Sequence, residues 1–198
     1  IIAIALAVYF VAGASWKHLL FMGGGGSALF FLLIRLAPYR AARFTTFLHP
    51  ELDPQGVGYH INQAMLAIGS GGVFGLGYGH SRQKFQYLPE VAGDSIFAVI
   101  AEELGFIIST ALILLYVFFA RQMLRLANNA PDKFSKYVVV GVMVWIVFQA
   151  FVNIAAMLGL MPITGIPLPF VSYGGTSMVV MLAAMGIVLN ISKYRKNA

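Results

Sequence analysis

Long apolar runs constrain the fold of this chain more than any other feature of its sequence. A helix that crosses a bilayer needs about 20 apolar residues, and four stretches come close to or exceed that length: residues 19–36, 95–120, 137–158 and 173–191. Hydrophobic residues make up 60% of the 198-residue chain, charged residues only 10%, and the mean hydropathy is +0.83. Because a soluble domain does not need so much apolar surface, the sequence predicts an all-α integral membrane protein, a multi-spanning helix bundle.

The chain starts inside a further apolar run, residues 1–13, with no initiator Met and no basic segment before it. A signal peptide would carry a positively charged start. We therefore interpret residues 1–13 as the second part of a truncated spanning helix. The whole chain is then expected to be a single transmembrane domain from the C-terminal half of a larger protein.

The basic residues indicate an orientation in the membrane, and they do not require nucleic acid as a partner. The formal net charge is +6, and short basic clusters lie within residues 16–18, 121–136 and 193–196. With alternating spans these clusters fall on one side, which the positive-inside rule makes cytoplasmic. Residues 37–94 and 159–172 are then expected to face outside.

Cysteine and histidine usage limits the available chemistry. The chain has no Cys, so neither a disulfide framework nor thiolate catalysis is available. Its four histidines are scattered without metal-ligand spacing, so the residues themselves identify no metal site.

The outer segment of residues 37–94 is longer than a plain connection in a compact bundle, which favours a functional role. Four of its apolar residues recur at the spacing of one helix face: Ile61, Ala64, Met65 and Ile68. His60 lies off that face. The pattern predicts a short amphipathic helix that lies at the interface or re-enters the bundle.

The second outer segment, residues 159–172, is rich in proline. Pro162, Pro167 and Pro169 exclude regular helix there. A stiff apolar loop at the membrane face is either the wall of a lipid groove or a rigid connector, and composition alone leaves both open.

Three carboxylates near the start of the third complete span need an explanation. Asp94 falls at the helix N-terminus, where the dipole and unpaired N–H groups favour its charged form and predict a low pKa. A plain N-cap is the alternative. Glu102 and Glu103 lie roughly 12 Å deeper, where a carboxylate must be neutral, paired or face a polar cavity. Pairing in a structural polar network is the favoured interpretation for both.

Two further polar residues belong to the predicted network. Gln149 and Asn153 are four residues apart, so they share one face of a spanning helix. Hydrogen bonds to neighbouring helices are the simplest role for such side chains within a membrane.

Three segments together resemble the SEDS family (shape, elongation, division and sporulation), which includes FtsW, RodA and SpoVE. They read FQYLPEVAGDSIFAVIAEELGF, QAFVNIAAMLGLMPITGIPLPFVSYGGTS and PYRAARFTTFLHPELDPQGVGYHINQAMLAIGSGGVFGLGYG. Their order, spacing and topology agree with the C-terminal half of a family member. The Gln83-Lys84 pair before YLPE is more similar to FtsW than to RodA.

The resemblance implies a peptidoglycan glycosyltransferase that polymerises lipid II at the outer face of the bacterial plasma membrane. It also implies a class B penicillin-binding protein as a partner, with other divisome or elongasome membrane proteins, and a divalent cation, Mg²⁺ or Mn²⁺. The family's essential aspartate falls on Asp94, which is expected to be the general base. The family usually has His-Thr before this Asp and Phe after it, whereas this chain has Ala92-Gly93 and Ser95.

Polymerisation would also need groups that bind the lipid pyrophosphate and the sugars. The candidate substrate-binding residues are Arg40, Arg43, Lys84, Glu90 and Ser172. Two other functions fit the same residues. A flippase would move the lipid-linked precursor across the bilayer, and a non-catalytic scaffold would recruit its penicillin-binding protein through the outer segment.

Overall fold

The computed structural model describes residues 1–36, 45–49 and 56–194, and within them the chain is built from helices. The named helices are α1 (Ile2–Val11), α2 (Trp16–Leu36), α3 (Val57–Ser70), α4 (Gln83–Gln86), α5 (Ile96–Asn128), α6 (Lys133–Met157) and α7 (Gly175–Lys193). The described ranges contain no strand. The prediction of an all-α fold is confirmed.

The long helices have the dimensions of membrane spans. Helices α5, α6 and α7 are long and apolar enough to cross a membrane, and α2, with 21 residues, also has spanning length. Helix α5 continues past the predicted end at residue 120, because the polar segment that follows contains Arg121, Gln122 and Arg125, which are good helix formers. The region predicted as one large outer loop, residues 37–94, contains α3 and α4 in its described part.

The described residues divide into two units. The first comprises residues 1–36, 119–148 and 182–194, and the second comprises residues 45–49, 56–118 and 149–181. All the candidate site residues that the structure describes belong to the second unit.

The first unit has its own apolar core. Its buried members are Met123, Ala127, Val139, Val140 and Val188. Helix α6 passes α1 at Gly141, where a β-carbon would lie in ordinary van der Waals contact, 3.7 Å from Ile4 and 3.8 Å from Val8.

The second unit is centred on α3, which packs against α5 and α6. Its buried core includes Ile61, Ala64, Ala67, Phe97 and Met157. The predicted amphipathic face of α3 is rotated relative to the observed one, since Met65 is 52% exposed whereas His60 is only 9% exposed. The buried side of α3 therefore carries a polar group that the apolar spacing did not indicate.

Helix α5 is interrupted at Gly105, which has φ 76° and ψ −174°, a conformation that essentially only glycine adopts. The break frees carbonyl groups of the preceding turn, and residues 71–77 satisfy them. The N–H of Leu76 donates to the carbonyl of Glu102 at 3.0 Å. The N–H of Gly77 donates to the carbonyl of Glu103 at 2.9 Å.

The same segment also satisfies the N–H groups that follow the break. Phe106 donates to the carbonyl of Gly72 at 2.9 Å, and Ile107 donates to that of Val73 at 3.3 Å. Buried backbone groups must be paired, above all in lipid. The segment 71–77 thus replaces one turn of the helical ladder, and it fixes the position of the two glutamates beside it.

Candidate active site

Asp94 lies in a tight turn of residues 89–95 that leads into α5, here called the Asp94 turn. The carbonyl of Glu90 accepts hydrogen bonds from the N–H groups of Gly93 at 2.9 Å and Ser95 at 3.4 Å. Glu90 has φ 48°, in the left-handed region that residues with side chains rarely adopt. The carbonyl of Ser95 accepts the first hydrogen bonds of α5, so Ser95, rather than Asp94, occupies the N-cap position.

The Asp94 side chain is buried, with 8% of its surface exposed. Its Oδ1 atom is buried and accepts no hydrogen bond from any described residue. Burial raises the pKa of this carboxyl above its ordinary value, the Glu90 carboxylate acts in the same direction, and His60 acts in the opposite one. The low pKa predicted from the helix dipole is therefore wrong, because loss of hydration outweighs the dipole at this position.

Asn153 joins the Asp94 turn to the proline-rich loop of residues 159–172. Its Nδ2 atom donates to the carbonyl of Asp94 at 2.7 Å and to the carbonyl of Ile166 at 2.8 Å. Gln149, one turn earlier on α6, donates from Nε2 to the carbonyl of Pro167 at 2.8 Å. The predicted bonds to neighbouring helices are thus replaced, in these contacts, by bonds to loop carbonyls.

Ser172 makes a second connection between the same two segments. Its hydroxyl donates to the carbonyl of Gly93 at 2.5 Å and accepts from the N–H of Leu168 at 2.7 Å. The N–H of Tyr173 donates to the carbonyl of Ala92 at 2.8 Å. Ser172 is buried, and both of these contacts of its hydroxyl are to loop backbone, so its predicted contact with substrate stays a prediction.

An open cleft of about 420 Å³ lies where the two segments meet, and it is lined by Glu90, Gly93, Asp94, Gly165, Pro167 and Tyr173. Glu90 and Asp94 bring two carboxyl groups to this cleft. A β-carbon at Gly165, where φ is +67°, would lie 4.0 Å from Asp94 Oδ2. Glycine at this position therefore satisfies the backbone conformation and leaves the approach to the carboxylate open.

Glu102 and Glu103 bind a different segment, residues 81–84. Glu102 is 1% exposed, and it accepts from the Ser81 hydroxyl and, at 3.0 Å, from the N–H of Arg82. Glu103 accepts from Lys84 Nζ at 2.5 Å and from the N–H of Ser81 at 3.3 Å. The structure therefore gives both buried carboxylates polar or basic partners, and Lys84 is the ion-pair partner of Glu103.

The remaining candidates concern cations. Arg40 and Arg43 lie outside the described residues, so their roles stay predictions. Within the ranges that are described, no group of three or more His, Asp or Glu side chains could hold a metal ion. Glu90 and Asp94 alone supply two carboxylates at one cleft, which suits Mg²⁺ only if substrate oxygens and water complete its coordination.

His60 is a polar residue of the site that the sequence did not single out. Its Nε2 atom lies 2.6 Å from Ser95 Oγ, and that hydroxyl donates to the carbonyl of Pro89 at 2.7 Å. Burial lowers the pKa of the His60 imidazole, although Asp94 and Glu90 act in the opposite direction. The only signal in the sequence is the position of His60 one residue before the apolar face of α3.

With this geometry described, the chain can be compared with known proteins. A model of the FtsW/RodA/SpoVE family, described as a cell cycle protein, matches residues 1–197. Stage V sporulation protein E of Bacillus subtilis is 47% identical over 96% of this chain and 52% of that protein. A probable peptidoglycan glycosyltransferase FtsW of Thioalkalivibrio sulfidiphilus is 44% identical over 98% of this chain and 49% of that protein.

A solved structure agrees in fold. A chain from a study described as "Structural coordination of polymerization and crosslinking by a peptidoglycan synthase complex" superposes with a TM-score of 0.76 and 31% identity. The match covers 99% of this chain and 55% of the other. The chain spans about half the length of the curated relatives it matches.

Proposed function

Because the chain belongs to the FtsW/RodA/SpoVE family, we propose that it is part of a peptidoglycan glycosyltransferase that polymerises lipid II into glycan strands. Relatives that carry this activity in their names support the proposal. The observation that carries it in this chain is Asp94, a buried carboxyl group that lines an open cleft. The protein is an integral membrane protein, and the proposed location is the bacterial plasma membrane with this cleft on the outer face.

In the proposed reaction, Asp94 acts as the general base. A hydroxyl of the acceptor sugar attacks the anomeric carbon of the donor, the bond to the lipid pyrophosphate breaks, and Asp94 accepts the hydroxyl proton. A raised pKa brings the carboxyl closer to the operating pH, which makes its ionised form a stronger base. The hydrogen bonds of Asn153 and Ser172 to the backbone of the Asp94 turn would hold this base in place.

The departing pyrophosphate gains negative charge and needs cations. Arg40 and Arg43 are the proposed contacts, since Lys84 is already paired with Glu103. A Mg²⁺ or Mn²⁺ ion would supply further positive charge when bound, and Glu90, the other carboxyl group at the cleft, would hold it together with pyrophosphate oxygens. The partners proposed with this activity are a class B penicillin-binding protein and other divisome or elongasome membrane proteins.

The test is polymerisation of lipid II by the purified full-length protein and its Asp94→Asn variant. Asn is nearly isosteric but a poor base, so the rate should fall by about 10²–10⁴-fold. Asp132→Asn is the matched control: Asp132 accepts hydrogen bonds from the N–H and hydroxyl of Ser135 in the first unit, and this variant should polymerise normally. A near-normal rate for Asp94→Asn would exclude Asp94 as the base.

The same preparation separates the alternatives. Glycan chains indicate an enzyme, translocation of lipid II without polymer indicates a flippase, and neither product indicates a scaffold. The flippase alternative rests on the buried ionisable residues Glu102 and Glu103, which transporters also use. Their hydrogen bonds to residues 81–84 favour a structural role instead.

A further inference from the structure

The hydroxyl of Ser95 has a single proton, and the geometry shows where it goes. Ser95 Oγ lies 2.7 Å from the carbonyl oxygen of Pro89, which can only accept. Ser95 must therefore donate to Pro89, and the contact of 2.6 Å with His60 Nε2 requires His60 to be the donor. The His60 imidazole therefore carries a proton on Nε2, and burial lowers the pKa of this side chain.

These two hydrogen bonds close the Asp94 turn, because Pro89 is the first residue of the turn and Ser95 is the last. His60 connects the turn to α3, and it lies 35 residues away from Ser95 in sequence. Ser95 is completely buried.

The turn needs such a closure because it is strained. Glu90, inside it, has φ 48°, and a residue with a side chain persists in this sparsely populated region only where its surroundings hold it there. Asp94 is buried without a hydrogen bond to Oδ1 from the described residues. A relaxed turn would let this carboxyl rotate toward water and out of its position at the cleft.

We propose that His60 is a positioning residue that closes the Asp94 turn through the Ser95 hydroxyl. This role rests on the proposed glycosyl transfer, since it concerns the geometry of its general base. His60 needs no contact with the substrate. It acts by supplying one N–H donor at the Nε2 position.

The test compares two replacements of His60 in the full-length protein. His60→Leu keeps a similar side-chain volume but removes the hydrogen-bond donor, whereas His60→Gln places an amide N–H near the former position of the Nε2 atom. We expect kcat for lipid II polymerisation to fall by about 10–100-fold in His60→Leu, with KM nearly unchanged. His60→Gln should recover most of that loss. Equal rates for the Leu and Gln variants, or a normal kcat in His60→Leu, would overturn the proposal.

A double-mutant cycle identifies the route of the effect. If His60 acts through Ser95, the double variant His60→Leu/Ser95→Ala should be no slower than the slower single variant. Ser95→Thr, which keeps the hydroxyl, should be faster than Ser95→Ala. Additive losses in the cycle would show that His60 does not act through Ser95.

A second readout does not depend on catalysis. Carbodiimide labelling of Asp94, followed by mass spectrometry, should be slow in the wild type because the carboxyl is buried. Labelling should accelerate at least several-fold in His60→Leu but not in His60→Gln. Unchanged labelling in His60→Leu contradicts the positioning role even if the wild type polymerises lipid II. An inactive wild type with the expected labelling pattern contradicts the proposed function alone.

Discussion

Replacing Asn153 by Leu removes the bridge between the Asp94 turn and the proline-rich loop with little change in volume. The carbonyls of Asp94 and Ile166 lose hydrogen bonds of 2.7 and 2.8 Å. A buried acceptor without a partner costs about 1–3 kcal/mol, so two cost about 2–6 kcal/mol. The variant also removes Asn153 Oδ1, a buried atom with no hydrogen bond from the described residues, which recovers about 1–3 kcal/mol.

The net expectation is a destabilisation of about 1–3 kcal/mol, measured by thermal unfolding of the full-length protein. Relatives are about twice as long as this chain, and for a protein of that size each 1 kcal/mol corresponds to roughly 1–2 °C, so Tm should fall by about 1–6 °C. Polymerisation should also slow, by about 10²-fold if the Asp94 carboxyl moves by about 1 Å.

Asn190→Leu is the matched control for this variant. Asn190 is exposed on α7, and a surface substitution usually changes stability by less than about 0.5 kcal/mol. If Asn153→Leu lowers Tm no more than Asn190→Leu does, the bridge contributes nothing measurable and the reasoning is refuted.

Three further predictions concern the break in α5, the ion pair and the protonation of Asp94. Gly105→Ala should lower the free energy of unfolding by more than about 1–3 kcal/mol, because a β-carbon would lie 2.3 Å from the Gly75 nitrogen. Gly186→Ala is the control, since a β-carbon there would meet nothing within 4 Å, and its Tm should be normal. Equal Tm values for the two variants would contradict this prediction. Lys84→Met should destabilise by about 3 kcal/mol, because it leaves the buried Glu103 carboxylate without its ion-pair partner. Adding Glu103→Gln should recover part of that loss, whereas a fully additive cycle would show that the two side chains are uncoupled. Asp94→Asn should unfold at a higher temperature than the wild type at neutral pH, because a raised carboxyl pKa makes ionisation oppose folding. The stability that Asp94 contributes is complete below its unfolded pKa, near the ordinary value of 3.8, and is lost as pH rises through the folded pKa. The difference in Tm between the two proteins should therefore vanish in acid. A lower Tm for Asp94→Asn than for the wild type at neutral pH would contradict this prediction.

The sequence by itself determined the helical membrane fold, because the length and hydropathy of an apolar run are local properties. The prolines at 162, 167 and 169 likewise predicted a non-helical loop, and the structure has no helix there. The depth of Glu102 and Glu103 predicted that they need polar partners, and the structure supplies these from residues 81–84.

The identity of partners was decided by the tertiary structure alone. Asn153 and Asp94 are 59 residues apart, and Ser172 and Gly93 are 79 apart, so no local pattern relates them. Gly105 gave only a weak signal, since a glycine within an apolar run is compatible with a continuous helix. The break forms because residues 71–77 supply the hydrogen bonds that the helix gives up.

The protonation of Asp94 shows the same division most clearly. Its place at the start of a spanning helix follows from the sequence, and the helix dipole alone would lower its pKa. In the folded chain the pKa of Asp94 is instead raised, because segments distant in sequence cover the carboxyl and remove its water. Desolvation depends on everything that packs around a group, and only the folded chain determines that.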